Sequence, residues 1–361
     1  MKSKWLISVG LIVCLVAAFA LPMCAPAPPA EEEEAPPVEE EEELASSVNL
    51  YIAAASPDVA ADMAKFIKEK TGVEIRQQFL SCGELGAKMK AEAPRFSADY
   101  AMHVCSPESF MAKDNGWCVP YDSPAWRGVG EWKDPDNALF KLANWSAIPI
   151  GNKELLAEKG YTMPESWDDF LDPKWEGQIV MPSAVSSGNG YQLLHAFMTI
   201  YGFNKGLTGE EAEEAGWEYM KALDKNMHHY TRSGSTPADL VGRGEFILGM
   251  TQDAAAQKRI EAGYPLVYTI PEEGIGWGGA YAFILKGTEK LYTCQKIIDL
   301  LGAREYGEFV AGLGYTTKDA PSEFYKEPPK YVPNMDEAWA VKNKSRLLDE
   351  WKDRIGRVPA E

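Results

Sequence analysis

Histidine is scarce in this chain of 361 residues: there are four, at His103, His195, His228 and His229, and they show no zinc-type ligand spacing. The run His228-His229-Tyr230 reads as surface structure at the end of an element. No Gly-x-Ser-x-Gly elbow, metal set or paired acid–base motif occurs, which argues against an enzyme. Glu272 and Glu273 are adjacent, but neighbours on a strand or turn point apart and no activating partner stands near them in sequence. A basic surplus is missing too. The 36 Lys and Arg face 54 Asp and Glu, a formal charge of −18, so there is no electrostatic footprint for nucleic acid and no polybasic patch for a membrane.

Long apolar runs are limited to the amino end. Lys2 and Lys4 precede an apolar core from Trp5 to Leu21, which is near the lower limit for a membrane span and ends in small residues and proline. This is the pattern of a secretory signal over residues 1–24. Residues 25–47 then form an acidic Pro/Glu linker, with four consecutive glutamates from Glu31 and five from Glu39. Such a segment holds no core, and its like charges push it open. At up to about 3.5 Å per residue it could carry a domain a few tens of ångströms from a bilayer. Residues 1–44 hold two lysines and nine glutamates, −7, so the remaining body carries −11 and is acidic to an ordinary degree.

About 315 residues remain to fold, enough for two lobes. The first stretch, Val48 to Lys70, sets the pattern: Val48, Leu50, Ile52 and Ala54 suit a buried strand, Ser56 and Pro57 suit a helix cap and first turn, and Val59, Met63, Phe66 and Ile67 recur at helical spacing. A second strand from Val73 to Phe79 runs into Ser81-Cys82-Gly83 at a helix start, and a third from Asp99 to Val104 runs into Ser106-Pro107. Three strands in succession thus end in a small polar residue at a helix start. In an open α/β sheet these ends share one crevice, where helix N–H groups favour anions.

The alternation continues. Ala147-Ile148-Pro149-Ile150 carries an internal proline, which suits an exposed crossing strand better than a central one. Ile179-Val180-Met181 leads into the small polar loop 183–190 before a helix from Tyr191 to Tyr201, and the loop 230–237 brings Arg232, Ser233, Gly234 and Ser235 to another helix start. A strand from Glu245 to Met250 ends at Thr251-Gln252-Asp253. The glycine-rich stretch from Gly274 to Gly279 opens the last apolar strand, where Trp277 is the aromatic best placed to stack on an organic ligand at a cleft mouth. Core packing is an almost equal alternative for it.

The first strand and helix, the Asn115–Tyr121 segment, Pro164–Gly177 (with its Ser-Trp-Asp-Asp-Phe-Leu-Asp-Pro-Lys-Trp core) and Ile179–Pro182 resemble the bacterial extracellular solute-binding proteins of ABC importers. The likeness is to the type 2 periplasmic-binding group that includes ferric-ion, thiamine, phosphonate and sugar-phosphate binders, and it runs from Val48 to about Tyr315. It implies an α/β, two-lobed type 2 periplasmic-binding-protein fold, each lobe a mixed sheet flanked by helices and joined by hinge strands. The lobes are expected at 48–147 with 279–318 and at 148–278 with 319–361. Leu21-Pro22-Met23-Cys24 resembles a lipobox, which implies lipidation of Cys24, a lipid-anchored extracytoplasmic location and a partner permease with its ATPase, for a monomer with no nucleic-acid partner. Trp167 and Trp175 are expected to pack within a lobe and to touch no ligand.

The expected ligand contacts are Ala55, Ser56, Ser81, Cys82 and Ser106 from one lobe and Ser186, Ser187, Gly188, Arg232, Ser233, Gly234, Ser235, Asp253 and Trp277 from the other. Ferric-ion binders of the group carry adjacent tyrosines where this chain has Gln252 and Asp253, so no metal and no cofactor is expected. A small anionic solute such as a phosphonate or sugar phosphate fits better, with Asp253 receiving an amine or hydroxyl. A ferric or metal-complex binder and a ligand-sensing subunit of a sensor kinase are the other readings. Four cysteines survive removal of the signal. The family's sheet order places strand one between the ends carrying Cys82 and Cys105, about 10 Å apart and beyond disulfide reach, which favours Cys118 with Cys294 and leaves Cys82 as a thiol in the cleft.

Overall fold

The computed structural model describes residues 43–357. The signal segment with Cys24, and all but the last residues of the acidic linker, lie outside the described residues. In order, the chain forms β1 (Ser47–Ile52), α1 (Pro57–Thr71), β2 (Glu74–Phe79), α2 (Cys82–Glu92), β3 (Tyr100–Cys105), α3 (Ser106–Asp114), β4 (Cys118–Val119), β5 (Phe140–Asn152), α4 (Lys153–Lys159), β6 (Ile179–Pro182) and α5 (Gly188–Tyr201). It continues with α6 (Gly209–Asp224), β7 (Met227–Thr231), α7 (Thr236–Gly242), β8 (Leu248–Gln252), α8 (Asp253–Glu261), β9 (Leu266–Tyr268), β10 (Gly276–Leu285), α9 (Leu291–Leu301), α10 (Arg304–Gly312) and α11 (Glu337–Arg354).

The first unit forms for local reasons. Val48, Leu50 and Ile52 bury one face of β1 and Tyr51 buries the other, as in a central strand, and Val59, Met63 and Ile67 turn one face of α1 toward the core. Pro57 starts that helix and Gly72 stops it in the left-handed region at φ +75°.

The strands follow the order β2-β1-β3-β10-β5-β8-β6-β7, with β4 added on β10 and β9 on β5. β1 pairs in parallel with β2 and β3, and β6 does so with β7 and β8. The two parallel sets are joined by β5 and β10, which run antiparallel to each other and to their neighbours. One core gathers Leu50, Ile52, Met63, Ile67 and Trp126 around the first set; another gathers Trp167, Phe170, Trp175, Phe197 and Trp217 around the second. Each parallel set with its helices is therefore a lobe, and β5 and β10 are the strands between them. α11 seals the second core with Leu347 and Trp351. Among the described residues no helix is long and apolar enough to cross a membrane.

Two expectations are corrected by this topology. Pro149 lies in the middle of β5, fully inside the sheet, opposite Met250 of β8. On the other flank β10 pairs only as far as Ala147 and β9 begins at Ile150, so the residue without an N–H occupies the change-over between two partners. The cysteines pair as Cys82–Cys105, with Cα atoms 5.9 Å apart, while Cys118 and Cys294 are buried thiols. β1 does separate β2 from β3, but Cys82 is not at the end of β2. Leu80 donates its N–H to Ile52 O, carrying the chain across the end of β1 and bringing the start of α2 over to the end of β3. Cys82 is accordingly half of a disulfide and not a free thiol.

Candidate functional site

The carboxyl ends of both parallel sets meet on one chamber. From the first lobe come Ala53 to Ala55 after β1, Phe79 and Ser81 after β2, and His103 and Cys105 of β3, with the Cys82–Cys105 disulfide forming part of the wall. The second lobe supplies Ser187, Gly188 and Asn189 at α5, Ser233 and Gly234 before α7, and Gln252 at the end of β8. Trp145, Ala280 and Tyr315 close it from the hinge side.

The lobes are in contact around this chamber. A Cβ built on Gly188 would lie 2.4 Å from Cys105 Sγ, and one on Gly83 would lie 2.9 Å from Ser186 O, so only glycine allows the backbones this close. Ion pairs link α8 to α1, Lys258 to Asp62 at 2.5 Å and Arg259 to Asp58 at 3.0 Å. Lys344 of α11 pairs with Glu108 of α3.

The electrostatics come from helix ends. The chamber is bordered by residues at the amino ends of α1, α2, α3, α5 and α8, which are 15, 11, 9, 14 and 9 residues long. Each end carries about half a positive charge, about 2.5 in all before the acidic side chains of Asp58, Glu84, Glu108 and Asp253 in the first turns of α1, α2, α3 and α8 are set against them. No Lys, Arg, Asp or Glu is among the residues bordering the chamber. Burial pushes the His103 imidazole down to about 3, which keeps it neutral. Tyr315 is buried, its phenol pushed up by burial, and its hydroxyl accepts the Ala55 N–H at 2.9 Å. With one protonated phenol and no adjacent pair, the wall offers no phenolate set for a ferric ion.

Of the fourteen contacts expected from sequence, Ala55, Ser81, Cys82, Ser187, Gly188, Ser233 and Gly234 border the chamber. The others do not. Ser56 precedes α1 and donates its hydroxyl to the Asp58 carboxylate, and Ser106 gives its hydroxyl to Glu337 and, at 3.3 Å, to Gly279 O. Ser186 donates to Arg232 O at 2.9 Å, and Ser235 shares a hydrogen bond with Ser233 at 3.1 Å behind the wall. Arg232 borders an outer recess with Phe79, Ser81, Glu84 and Thr236. Trp277 lies beneath the Lys141 ammonium, 5.4 Å from its ring centroid, and not at the chamber. Asp253 is turned into the hinge, where its carboxylate accepts the Ser146 N–H at 3.1 Å, the Ala254 N–H at 2.9 Å and the Tyr325 hydroxyl at 3.2 Å. It is spent on protein groups because α8 begins at Asp253 itself, so Gln252 is the residue that faces the cleft.

Of the 252–253 pair that the resemblance implied, Gln252 borders the chamber. Sequence reasoning missed His103, Asn189, Trp145 and Tyr315 as wall residues. Asn189 had a usable signal, since it adjoins a helix start already singled out. Trp145 and Tyr315 arrive from distant segments, and His103 is brought to the wall at a sheet irregularity.

A two-lobed α/β molecule with its polar chamber between the lobes defines a binding protein of the periplasmic type. The chain belongs to the family described as bacterial extracellular solute-binding protein, whose model matches residues 102–342. A Haemophilus influenzae protein of uncharacterised role is 26% identical over 292 residues, covering 76% of this chain and 80% of that one. The spermidine/putrescine-binding periplasmic protein of Salmonella typhimurium is 24% identical over 229 residues, 63% of this chain and 62% of that one. Among solved structures, the periplasmic binding protein AfuA from Actinobacillus pleuropneumoniae, with exogenous fructose-6-phosphate bound, superposes with a TM-score of 0.75 at 24% identity over 86% of this chain and 99% of that one. The apo ferric ion-binding protein A of Pasteurella haemolytica gives 0.70 at 16% identity over 88% and 100%. These likenesses show the fold.

Proposed function

We propose that the chain is the substrate-capturing lipoprotein of an ABC importer, and that it holds a small organic oxyanion, a phosphate monoester or phosphonate, between lobes 48–147 with 279–318 and 148–278 with 319–361. The observation that carries this reading is the meeting of five helix amino ends on a chamber bordered by no charged side chain. Backbone N–H groups at these helix ends, aimed at the chamber, can donate to the oxygens of an anionic headgroup and offer nothing to the ammonium groups of a polycation. A polyamine would need free carboxylates, and those nearby are committed to the protein: Asp253 to Ser146, Ala254 and Tyr325, Glu84 to Ser81, and Glu108 to Lys344. Closure follows because a ligand touching both lobes stabilises the closed state by the contacts it gains there. Cys24 tethers the protein at the outer face of the membrane, and the 25–47 linker holds it within reach of the permease.

Thermal melts of the mature protein with inorganic phosphate, phosphate monoesters, phosphonates, citrate, spermidine and ferric citrate test this. A melting rise confined to the phosphate and phosphonate compounds is expected. Stabilisation by spermidine or ferric citrate alone would overturn it.

A further inference from the structure

The chamber wall holds hydrogen-bonding groups that the protein leaves unused. Both amide atoms of Asn189 are buried without a partner, and so is Nδ1 of His103. Asn189 is 4% exposed and His103 2%. Groups so deeply buried normally find partners, and leaving them unpaired costs the full desolvation penalty. Asn189 sits in the first turn of α5 on the second lobe, with Gly234 and the Ser187 hydroxyl close against it, and a Cβ on Gly234 would lie 3.0 Å from its own Cβ. His103 borders the same chamber from the first lobe.

The placement of His103 is itself unusual. Tyr281 of β10 is opposite Val104, but Phe283 is opposite Ala101, so β3 carries one extra residue between the two pairs. His103 stands in that bulge with φ +54°, in the left-handed region that costs a side-chain-bearing residue energy. Strain of this kind is retained where a side chain has to be aimed. Nε2 lies 3.2 Å from the Tyr306 hydroxyl. Whichever tautomer that contact selects, Nδ1 presents the complementary function, an N–H when Nε2 accepts the phenol proton and a lone pair when it donates.

We propose that His103 and Asn189, one on each lobe, are the specificity-determining residues of the chamber, and that they read a hydroxyl, a group that both gives and takes a hydrogen bond, carried beside the oxyanion of the ligand. The helix ends hold the charge; these two residues hold the neutral part and are satisfied only when the cleft shuts on it. The inference rests on the oxyanion reading above.

The test is calorimetry on the mature protein with matched pairs that differ by hydroxyls: glycerol 3-phosphate against propyl phosphate, 2-hydroxyethylphosphonate against ethylphosphonate, and fructose 6-phosphate against hexyl phosphate. In at least one pair the hydroxylated member should bind about ten- to a hundredfold more tightly, the scale of a buried polar group left unpaired. Asn189→Ala and His103→Gly, the latter keeping the left-handed backbone, should each bring that ratio to within about threefold of unity. Melting of both variants checks that they fold. Equal binding within every pair overturns the inference and leaves the oxyanion reading standing. A hydroxyl preference that survives both substitutions overturns the assignment to these residues, and failure of every compound to bind overturns both readings.

Discussion

The carboxylate of Asp253 accepts the backbone N–H of Ser146 at 3.1 Å, tying the first residue of α8 to the middle of a hinge strand. The bond lies where the lobes join, so it couples the protonation of one buried group to the whole fold. Burial raises the Asp253 carboxyl to about 7 against the N–H bonds from Ala254 and Ser146 and the Tyr325 hydroxyl, which favour the charged form.

A raised acid favours the protonated folded state, so its stabilising influence is complete below the unfolded value near 4 and is lost as pH rises through 7. Asp253→Asn keeps the shape and an acceptor oxygen but removes the titration. The melting temperature of the variant should vary less than the parent's between pH 4 and pH 7. Melts across that range check it; parallel profiles for the two proteins would show that Asp253 does not titrate there.

The fold was readable because its units are local. Alternation in Val48–Ile52, a Ser-Pro helix start and helical spacing after it need no tertiary information, and the same pattern repeats at Ser81 and Ser187. What escaped depends on register and crossings. A histidine within an apolar strand gives no hint that the strand slips by one residue against β10 and turns it to the cleft. The reach of residues 80–82 over the end of β1, which decides the disulfide, follows from one backbone hydrogen bond between Leu80 and Ile52. Asp253 and Gln252 are neighbours, and which of them faces the ligand depends on where α8 begins.

Removing the Cys82–Cys105 disulfide should cost about 3 kcal/mol through the freed loop of the unfolded chain, the cysteines being 23 residues apart. It also fastens the starts of α2 and α3 beside the chamber. The Cys82→Ser, Cys105→Ser double variant should therefore melt lower and bind the oxyanion more weakly. Denaturant titration and calorimetry on the same preparation measure the two effects.

Cys118 and Cys294 should behave oppositely to exposed thiols. Burial pushes each up to about 12, so neither is a thiolate at neutral pH. Iodoacetamide at pH 8 should leave both unmodified in the native protein and label both in denaturant, as read by peptide mass mapping. Native labelling of either would contradict its burial.

Lys344 and Glu108 join α11, which packs in the second lobe, to α3 of the first, with side chains 14% and 6% exposed. A pair this enclosed is costly to break from one side, since the charge left behind has lost both its partner and its water, by about 3 kcal/mol. Glu108→Ala should place most of that cost on closure. An open molecule would return Lys344 to solvent, so the substitution should penalise the closed state selectively. Ligand affinity should fall by at least tenfold while denaturant stability of the unliganded protein falls less. Adding Lys344→Ala should recover part of the affinity, because no buried charge is then left unpaired. A double-mutant cycle in calorimetry, with small-angle scattering to follow the opening, measures the coupling; strictly additive losses would mean that the two residues act independently.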